Sequence, residues 1–204
     1  MADDHTHDDP THVQAFFTAR AADWDTRFPD DGPAYAAAVA DLGLRPGDAV
    51  LDAGCGTGRA LPFLRDAVGP GGSVLGADIT PAMLEAAVLA GRHRAAQLLI
   101  ADVARLPVRT GALDAVFAAG LISHLPRPAE NLRELARTVR PGGLLALFHP
   151  IGRAALAARQ GRQITPDDLR AEPRLRPLLA GSAWRMTSYT DENDRFLALA
   201  VRQD

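Results

Sequence analysis

The stretch AVLDAGCGTGRALPFL, Ala49 to Leu64, decides how the rest of the chain is read. An apolar run reaches an acid at Asp52, and three glycines follow at alternate positions, Gly54, Gly56 and Gly58. A short, continuously apolar run predicts a strand covered on both faces. Glycines directly after it predict a turn where a ligand approaches the backbone, because a side chain there would collide with it. The segment from about Arg59 to Val68 then reads as a helix. Amides at the start of such a helix favour a negative group. A lone glycine turn also fits this pattern, so the remaining motifs must decide.

The same unit recurs downstream. VLGADI predicts a second strand ending at Asp78, and TPAMLEAAVLAGR a helix with Thr80 as its N-cap and Pro81 as its first residue. AQLLIADV predicts a third strand ending at Asp102, and GALDAVFAAG a fourth. RPAENLRELARTVR reads as a helix with Leu132, Leu135 and Val139 along one face, PGG as its stop, and LLALFHP as a fifth strand. Strands alternating with helices predict a parallel sheet whose ligand crevice lies at the carboxyl ends of the strands. Ahead of this core, VQAFFTARAADWDTRF has helical spacing that puts Phe16, Phe17, Ala21 and Trp24 on one face, and AYAAAVADLGL reads as a helix ending near Gly43. Beyond it, GRAALAARQG and TPDDLRAEPRLRPLLAGSAW read as helical or irregular. RMTSYT and FLALAVRQ predict a hairpin around DEND.

The 204 residues, 47% hydrophobic and 23% charged, suit one globular domain. We expect a frayed segment over 1–12 and a single domain over 13–204, with leading helices in 13–45, a ligand-binding core in 49–149 and a tail in 150–204. His5, His7 and His12 lie in the polar start and read as solvated rather than metal-binding. A net charge of −3 with scattered arginines argues against a nucleic-acid partner. Cys55 is the single cysteine, which excludes an internal disulfide and fits a reducing compartment. No apolar run is long enough for a membrane span, and MADDHTHDDP has no secretory character. A cytoplasmic location is expected.

Three acids thus stand at three successive strand ends. Asp78 comes twenty residues after Gly58, where an acid accepts hydrogen bonds from both hydroxyls of a ribose. Asp102, one crossover further on, can accept from an exocyclic amine. Together they describe a pocket for an adenosine with a group at its 5′ end. A pyrophosphate site requires G-x-G-x-x-G, but Arg59 occupies the last position and the third glycine comes one residue early. Asp52 would repel a pyrophosphate, whereas it suits an ammonium or a role in bracing the loop.

VLDAGCGTG, LGADITPAMLEAA and IADVARLPVRTGALDAVFAAGLISHLPRPAENLRELARTVRPGGLLAL resemble, in order and spacing, the motifs of class I S-adenosylmethionine-dependent methyltransferases. The similarity is to the small-molecule branch that includes ubiquinone and menaquinone biosynthesis methyltransferases. It runs from about Val50 to Phe148. It implies a Rossmann-like, seven-stranded, mostly parallel α/β sheet with helices on both faces and a C-terminal antiparallel hairpin. It also implies S-adenosyl-L-methionine as cofactor and S-adenosyl-L-homocysteine as product. Gly54, Cys55, Gly56 and Thr57, with Gly58 completing the loop, would then surround the methionine moiety, with Asp52 near its ammonium. Asp78 would hold the ribose, and Ile79 and Met83 would pack on the adenine. Asp102 and Val103 would read the adenine edge, and Ala119 and Gly120 would lie near the methionine end.

Methyl transfer from a sulfonium is an in-line displacement, so holding the two reactants aligned is most of the task. An acceptor hydroxyl also needs a base, and His124 in LISHLP and His149 in FHP are placed near the crevice. Framework roles are the other reading of both. The acceptor wall is expected from outside the resemblance: Phe16, Phe17, Trp24 and Tyr35 before it, Arg153 and Tyr189 after it. The segment FAAGLISH lacks an Asn-Pro-Pro-Tyr-like run, which argues against adenine or glutamine amides. It also lacks the acids of a divalent-metal catechol enzyme, so no metal is expected. A small-molecule acceptor and a monomer or homodimer are expected. Two rivals stand beside the enzyme: a cofactor-binding protein of the same fold that transfers no methyl, and a nicotinamide oxidoreductase, which Arg59 disfavours.

Overall fold

A computed structural model describes residues 10–27 and 31–204. Leading helices α1 (Pro10–Thr18), α2 (Trp24–Arg27) and α3 (Gly32–Leu42) precede β1 (Ala49–Ala53). The core continues through α4 (Leu61–Val68), β2 (Ser73–Asp78), α5 (Pro81–Leu89), β3 (Gln97–Ile100), β4 (Leu113–Ala119), α6 (Pro128–Thr138) and β5 (Val139–His149). The tail adds α7 (Arg153–Arg159), α8 (Glu172–Ala180), β6 (Trp184–Glu192) and β7 (Arg195–Arg202).

The strands form one seven-stranded sheet in the order β3-β2-β1-β4-β5-β7-β6. The first five are mutually parallel, and β7 runs antiparallel between β5 and β6. The expected fold class holds. The order reverses direction at β1 and β4, and a crevice opens at the carboxyl ends of strands at such a reversal.

Alternation along the central strands explains why both faces must be covered. Leu51, Val116, Leu145 and Leu147 join α6 and α8 residues, including Leu132, Leu135, Leu175 and Leu179, in one buried cluster. Their chain neighbours Val50, Phe117, Ala146 and Phe148 join Val39, Leu42, Leu61 and Leu64 of α3 and α4 in the other. Successive side chains of a strand point to opposite faces, so a strand apolar at every position requires two layers of helix. Trp184, fully buried, donates its indole N–H to the Leu132 carbonyl at 2.9 Å and so pins the hairpin to α6.

Several boundaries differ from the sequence expectation. The leading helix breaks after Thr18, and a 3-10 turn over Ala21–Asp23 separates α1 from α2. The aromatic group survives the break, with Phe17 edge-on to Trp24 at 5.5 Å. The helix expected from Arg59 starts at Leu61. Thr80 makes no capping hydrogen bond with its side chain; its N–H is held instead by Asp78 Oδ1 at 2.8 Å. PGG does not separate α6 from β5 but lies inside β5, which begins at Val139. Gly143 permits this: a Cβ there would sit 2.6 Å from the Asp114 carbonyl and 2.3 Å from Val139 Cγ1. The hairpin turn narrows to Asn193 and Asp194. His5 and His7 lie outside the described residues, while His12 is in α1.

Replacing Trp184 with Phe should lower unfolding stability by about 1–3 kcal/mol, because the Leu132 carbonyl loses its buried donor. Urea denaturation would measure this, and an unchanged midpoint would show that the indole hydrogen bond contributes nothing net.

Candidate functional site

The glycine turn is built by the end of the neighbouring strand. Cys55 N–H donates to the Ala77 carbonyl at 3.0 Å, and Gly56 N–H donates to Asp78 Oδ2 at 2.8 Å. With Thr80 N–H on Oδ1, each Asp78 oxygen already holds one backbone amide. Each keeps further acceptor capacity, since an ionised carboxylate offers about four lone-pair sites. Gly54 takes φ +67°, and a Cβ on it would approach Leu121 Cδ1 to 2.9 Å. Asp102 lies two residues past β3, and its Oδ1 accepts from Ala104 N–H at 2.8 Å.

Asp52 is 1% exposed, and its Oδ1 has no hydrogen-bond partner among the described residues. Burial, followed by the nearby Asp78 carboxylate, pushes its pKa up to about 8. Burial likewise raises Asp78, against the lowering pull of its two amides. The pair therefore holds a proton near neutrality unless a cation arrives. Burial and the same two carboxylates push the Cys55 thiol up, which makes it a close-packed residue rather than a nucleophile.

The leading helices close over this turn. Asp25 accepts from Thr57 Oγ1 at 2.8 Å and from Arg92 at 2.6 Å. Asp31 pairs with Arg59 at 3.3 Å, and that guanidinium lies 5.6 Å from the Tyr35 ring centre. Phe17 meets Trp24 and also the His124 ring, the latter at 5.1 Å edge-on. Tyr35 packs against Phe148, and burial pushes its phenol well above the usual range.

The glycine turn, the strand-end acids and the leading-helix aromatics border one cavity of about 960 Å³. It takes in Asp52, Gly54, Cys55, Gly56, Thr57, Asp78, Ile79, Met83, Asp102, Val103, Ala119 and Gly120, together with Phe16, Phe17, Trp24, Tyr35, His124 and His149. Three expected residues stand off it. Gly58 packs behind the turn, where a Cβ would come 2.8 Å from Leu61 Cδ1. Arg153 is held by Asp168 and Asp191 at 3.1 and 3.2 Å. Tyr189 packs on Phe196 and donates its O–H to the Arg170 carbonyl at 2.9 Å.

The far end of the cavity carries residues that the sequence did not single out: Ile151, Leu156, Arg159, Arg162 and Arg170. They come from the tail, whose irregular spacing gives no motif. His149 stands among them at the end of β5. Its Nδ1 lies 2.8 Å from the Ile151 carbonyl and 3.1 Å from the Ile151 amide nitrogen. Burial lowers its pKa to about 4, with Arg170 and His124 adding to the shift. The imidazole is therefore neutral at physiological pH.

Residues 51–147, just under half of the chain, match the family model described as a methyltransferase domain. A demethylmenaquinone methyltransferase of Staphylococcus aureus is 34% identical over 110 residues, 52% of this chain and 44% of that one. An uncharacterized 37.1 kDa protein in transposon TN4556 of Streptomyces fradiae is 35% identical over 127 residues, 59% of this chain and 36% of that one. Over these residues the core of this chain is similar to methyltransferase domains. The cofactor that this similarity implies is S-adenosylmethionine. The fold agrees with magnesium protoporphyrin IX methyltransferase of Synechocystis PCC 6803, solved with bound S-adenosylhomocysteine. That match has a TM-score of 0.72 at 21% identity, over 96% of this chain and 100% of that one. The chain spans less than half the length of the curated relatives it matches first. The residues present fit the cofactor: a buried, unpartnered carboxylate oxygen at Asp52 suits an ammonium, and a side-chain-free turn suits close approach. Among the described residues no helix is long and apolar enough to cross a membrane.

Asp52 makes stability depend on pH in a definite direction. Its folded pKa lies above the unfolded value, so between 3.8 and about 8 the native state binds a proton that the unfolded chain has released. That contribution is fully present below the window and is lost as pH rises through it. Asp52→Asn cannot ionise, so the cofactor-free variant should lose less stability than the parent between about pH 5 and about pH 8. Denaturant midpoints at the two pH values would report this, and an equal loss in both proteins would contradict the burial argument.

Proposed function

We propose that this protein moves a methyl group from S-adenosylmethionine to a small-molecule acceptor. The observation that carries this reading is the convergence of Asp52, the glycine turn, Asp78 and Asp102 on one side of a cavity whose other side is built from segments outside the matched domain. When bound, the cofactor supplies an electrophilic methyl on a sulfonium. In this reading Asp78 accepts from the ribose hydroxyls while its amide bonds keep it in place. Asp52 takes the ammonium through its unpartnered oxygen, and Asp102 and Val103 meet the adenine edge. Ile79 and Met83 pack against the ring faces, and Gly54, Cys55, Gly56 and Thr57 border the amino-acid end with Ala119 and Gly120.

The remaining volume takes the acceptor. Phe16, Phe17, Trp24 and Tyr35 wall it, and the chain's main contribution is alignment of nucleophile and methyl. His149 is the better placed of the two histidines to take a proton. In the tautomer whose Nδ1–H donates to the Ile151 carbonyl, Nε2 is the basic nitrogen; in the other, Nδ1 accepts from the Ile151 N–H and Nε2 carries the proton, and burial keeps the ring neutral in both. His124 packs against Phe17 and reads as a framework residue of the lid.

Calorimetry with S-adenosylmethionine, S-adenosylhomocysteine and NAD tests the reading. The two sulfur ligands should bind and NAD should not; tight NAD binding alone would overturn it. Asp78→Ala should weaken the sulfur ligands by about 1.5–3 kcal/mol, the worth of a charged acceptor. An unchanged dissociation constant would mean that the ribose sits elsewhere. His149→Ala should slow turnover by about 10²-fold or more with cofactor affinity intact. Full turnover in that variant would remove His149 as a base.

A further inference from the structure

We propose that the acceptor carries a carboxylate, seated against Arg170 at the end of the cavity away from the glycine turn. The proposal rests on the methyl-transfer reading and names the class of molecule that the second half of the cavity takes.

Arg170 borders the cavity with its side chain only 11% exposed. Its Nε and Nη2 are held by the two oxygens of Asp168, each at 3.2 Å. Its Nη1 is buried and has no hydrogen-bond partner among the described residues. A guanidinium presents five N–H donors in a planar fork, and leaving two of them both dry and unpaired is costly. A residue with that orphan on a cavity wall is built to meet an acceptor that is not part of the chain.

The fork is held firmly. Asp168 is shared with Arg153, which also reaches Asp191 through its side chain at 3.2 Å and its backbone N–H at 2.8 Å. Tyr189 donates to the Arg170 carbonyl. Gly152, at the start of α7, leaves no room for a Cβ, which would fall 1.6 Å from the Glu192 carbonyl. Two arginines and two aspartates thus balance in a rigid cluster that carries no net charge of its own. One further negative charge is met by Arg159 and Arg162, which border the same cavity and make no ion pair among the described residues. A carboxylate also matches the planar guanidinium edge. Phe17, Trp24, Ile151 and Leu156 add apolar surface to the same cavity, which fits a compact aromatic or alicyclic acid. With its carboxylate on Arg170, such a molecule extends past His149 toward Ala119 and Gly120.

The full chain, saturated with S-adenosylhomocysteine, should be tested by ligand-detected NMR with matched pairs: benzoate and benzamide, indole-3-acetate and indole-3-acetamide, cyclohexanecarboxylate and its carboxamide. The carboxylates should bind better than their amides. Arg170→Met should weaken the carboxylates by about tenfold or more while leaving the amides and S-adenosylhomocysteine unchanged. Arg170→Lys should keep part of the preference. Equal binding within each pair, binding of none of them, or full carboxylate affinity in Arg170→Met would overturn the proposal. The comparison on the parent protein decides the matter even if the variant fails to fold. Failure to bind S-adenosylhomocysteine would instead count against the methyl-transfer reading. The same pairs on the cofactor-free chain would then decide the carboxylate seat alone.

Discussion

The site depends on one carboxylate. Asp78 ends β2, yet its two oxygens hold the amides of Gly56 and Thr80. One of these lies in the turn after β1 and the other opens α5. A single side chain therefore fixes the turn of one βα unit to the strand end and helix start of the next. The parallel register of β1 with β2 sets the distance that this carboxylate must bridge. The glycines then leave the cavity side of the turn without side chains. A ribose binding here would meet a carboxylate already oriented by the backbone, with little ordering left to occur on binding.

A second constraint is electrostatic. Burial raises both Asp52 and Asp78, and the nearby Asp78 charge raises Asp52 further. Two buried acids with one unpartnered oxygen are an unfavourable arrangement in an empty protein, and a cation relieves it. At the other end Arg170 presents the opposite imbalance, a buried donor without an acceptor. The cavity is therefore polarised along its length. Its acid-lined end suits an ammonium and a sulfonium, and its arginine-lined end suits an anion. His149 stands near the arginine end, kept neutral by burial and by that same guanidinium.

That the acids and glycines would meet at one cavity was legible in the sequence because their placement is local. An acid at a strand end, glycines two residues on and an acid one crossover later occupy positions set by chain order alone. The sheet followed from alternating apolar strands and amphipathic helices. The acceptor half was less legible, because it is assembled from long-range packing. Phe17, Trp24 and Tyr35 could be proposed as wall residues from their bulk. Arg153 and Tyr189 have the same chemical promise, but in the structure they brace Arg170 from behind through Asp168 and a backbone carbonyl. Nothing in the spacing of the tail separates the arginine that borders the cavity from the one that supports it. Thr80 shows the same limit at short range: its position suggests a cap, but Asp78 already holds its amide.

The central claim is that this cavity holds the adenosyl ligand with its ribose on Asp78 and its ammonium at Asp52. A crystal structure of the protein with S-adenosylhomocysteine tests it most directly. The account predicts both ribose hydroxyls on the Asp78 carboxylate, the amino-acid end against Gly54 to Thr57, and the space beside His149 and Arg170 left open for an acceptor. A nucleoside bound with its ribose away from Asp78, or seated in the space beside Arg170, would contradict it.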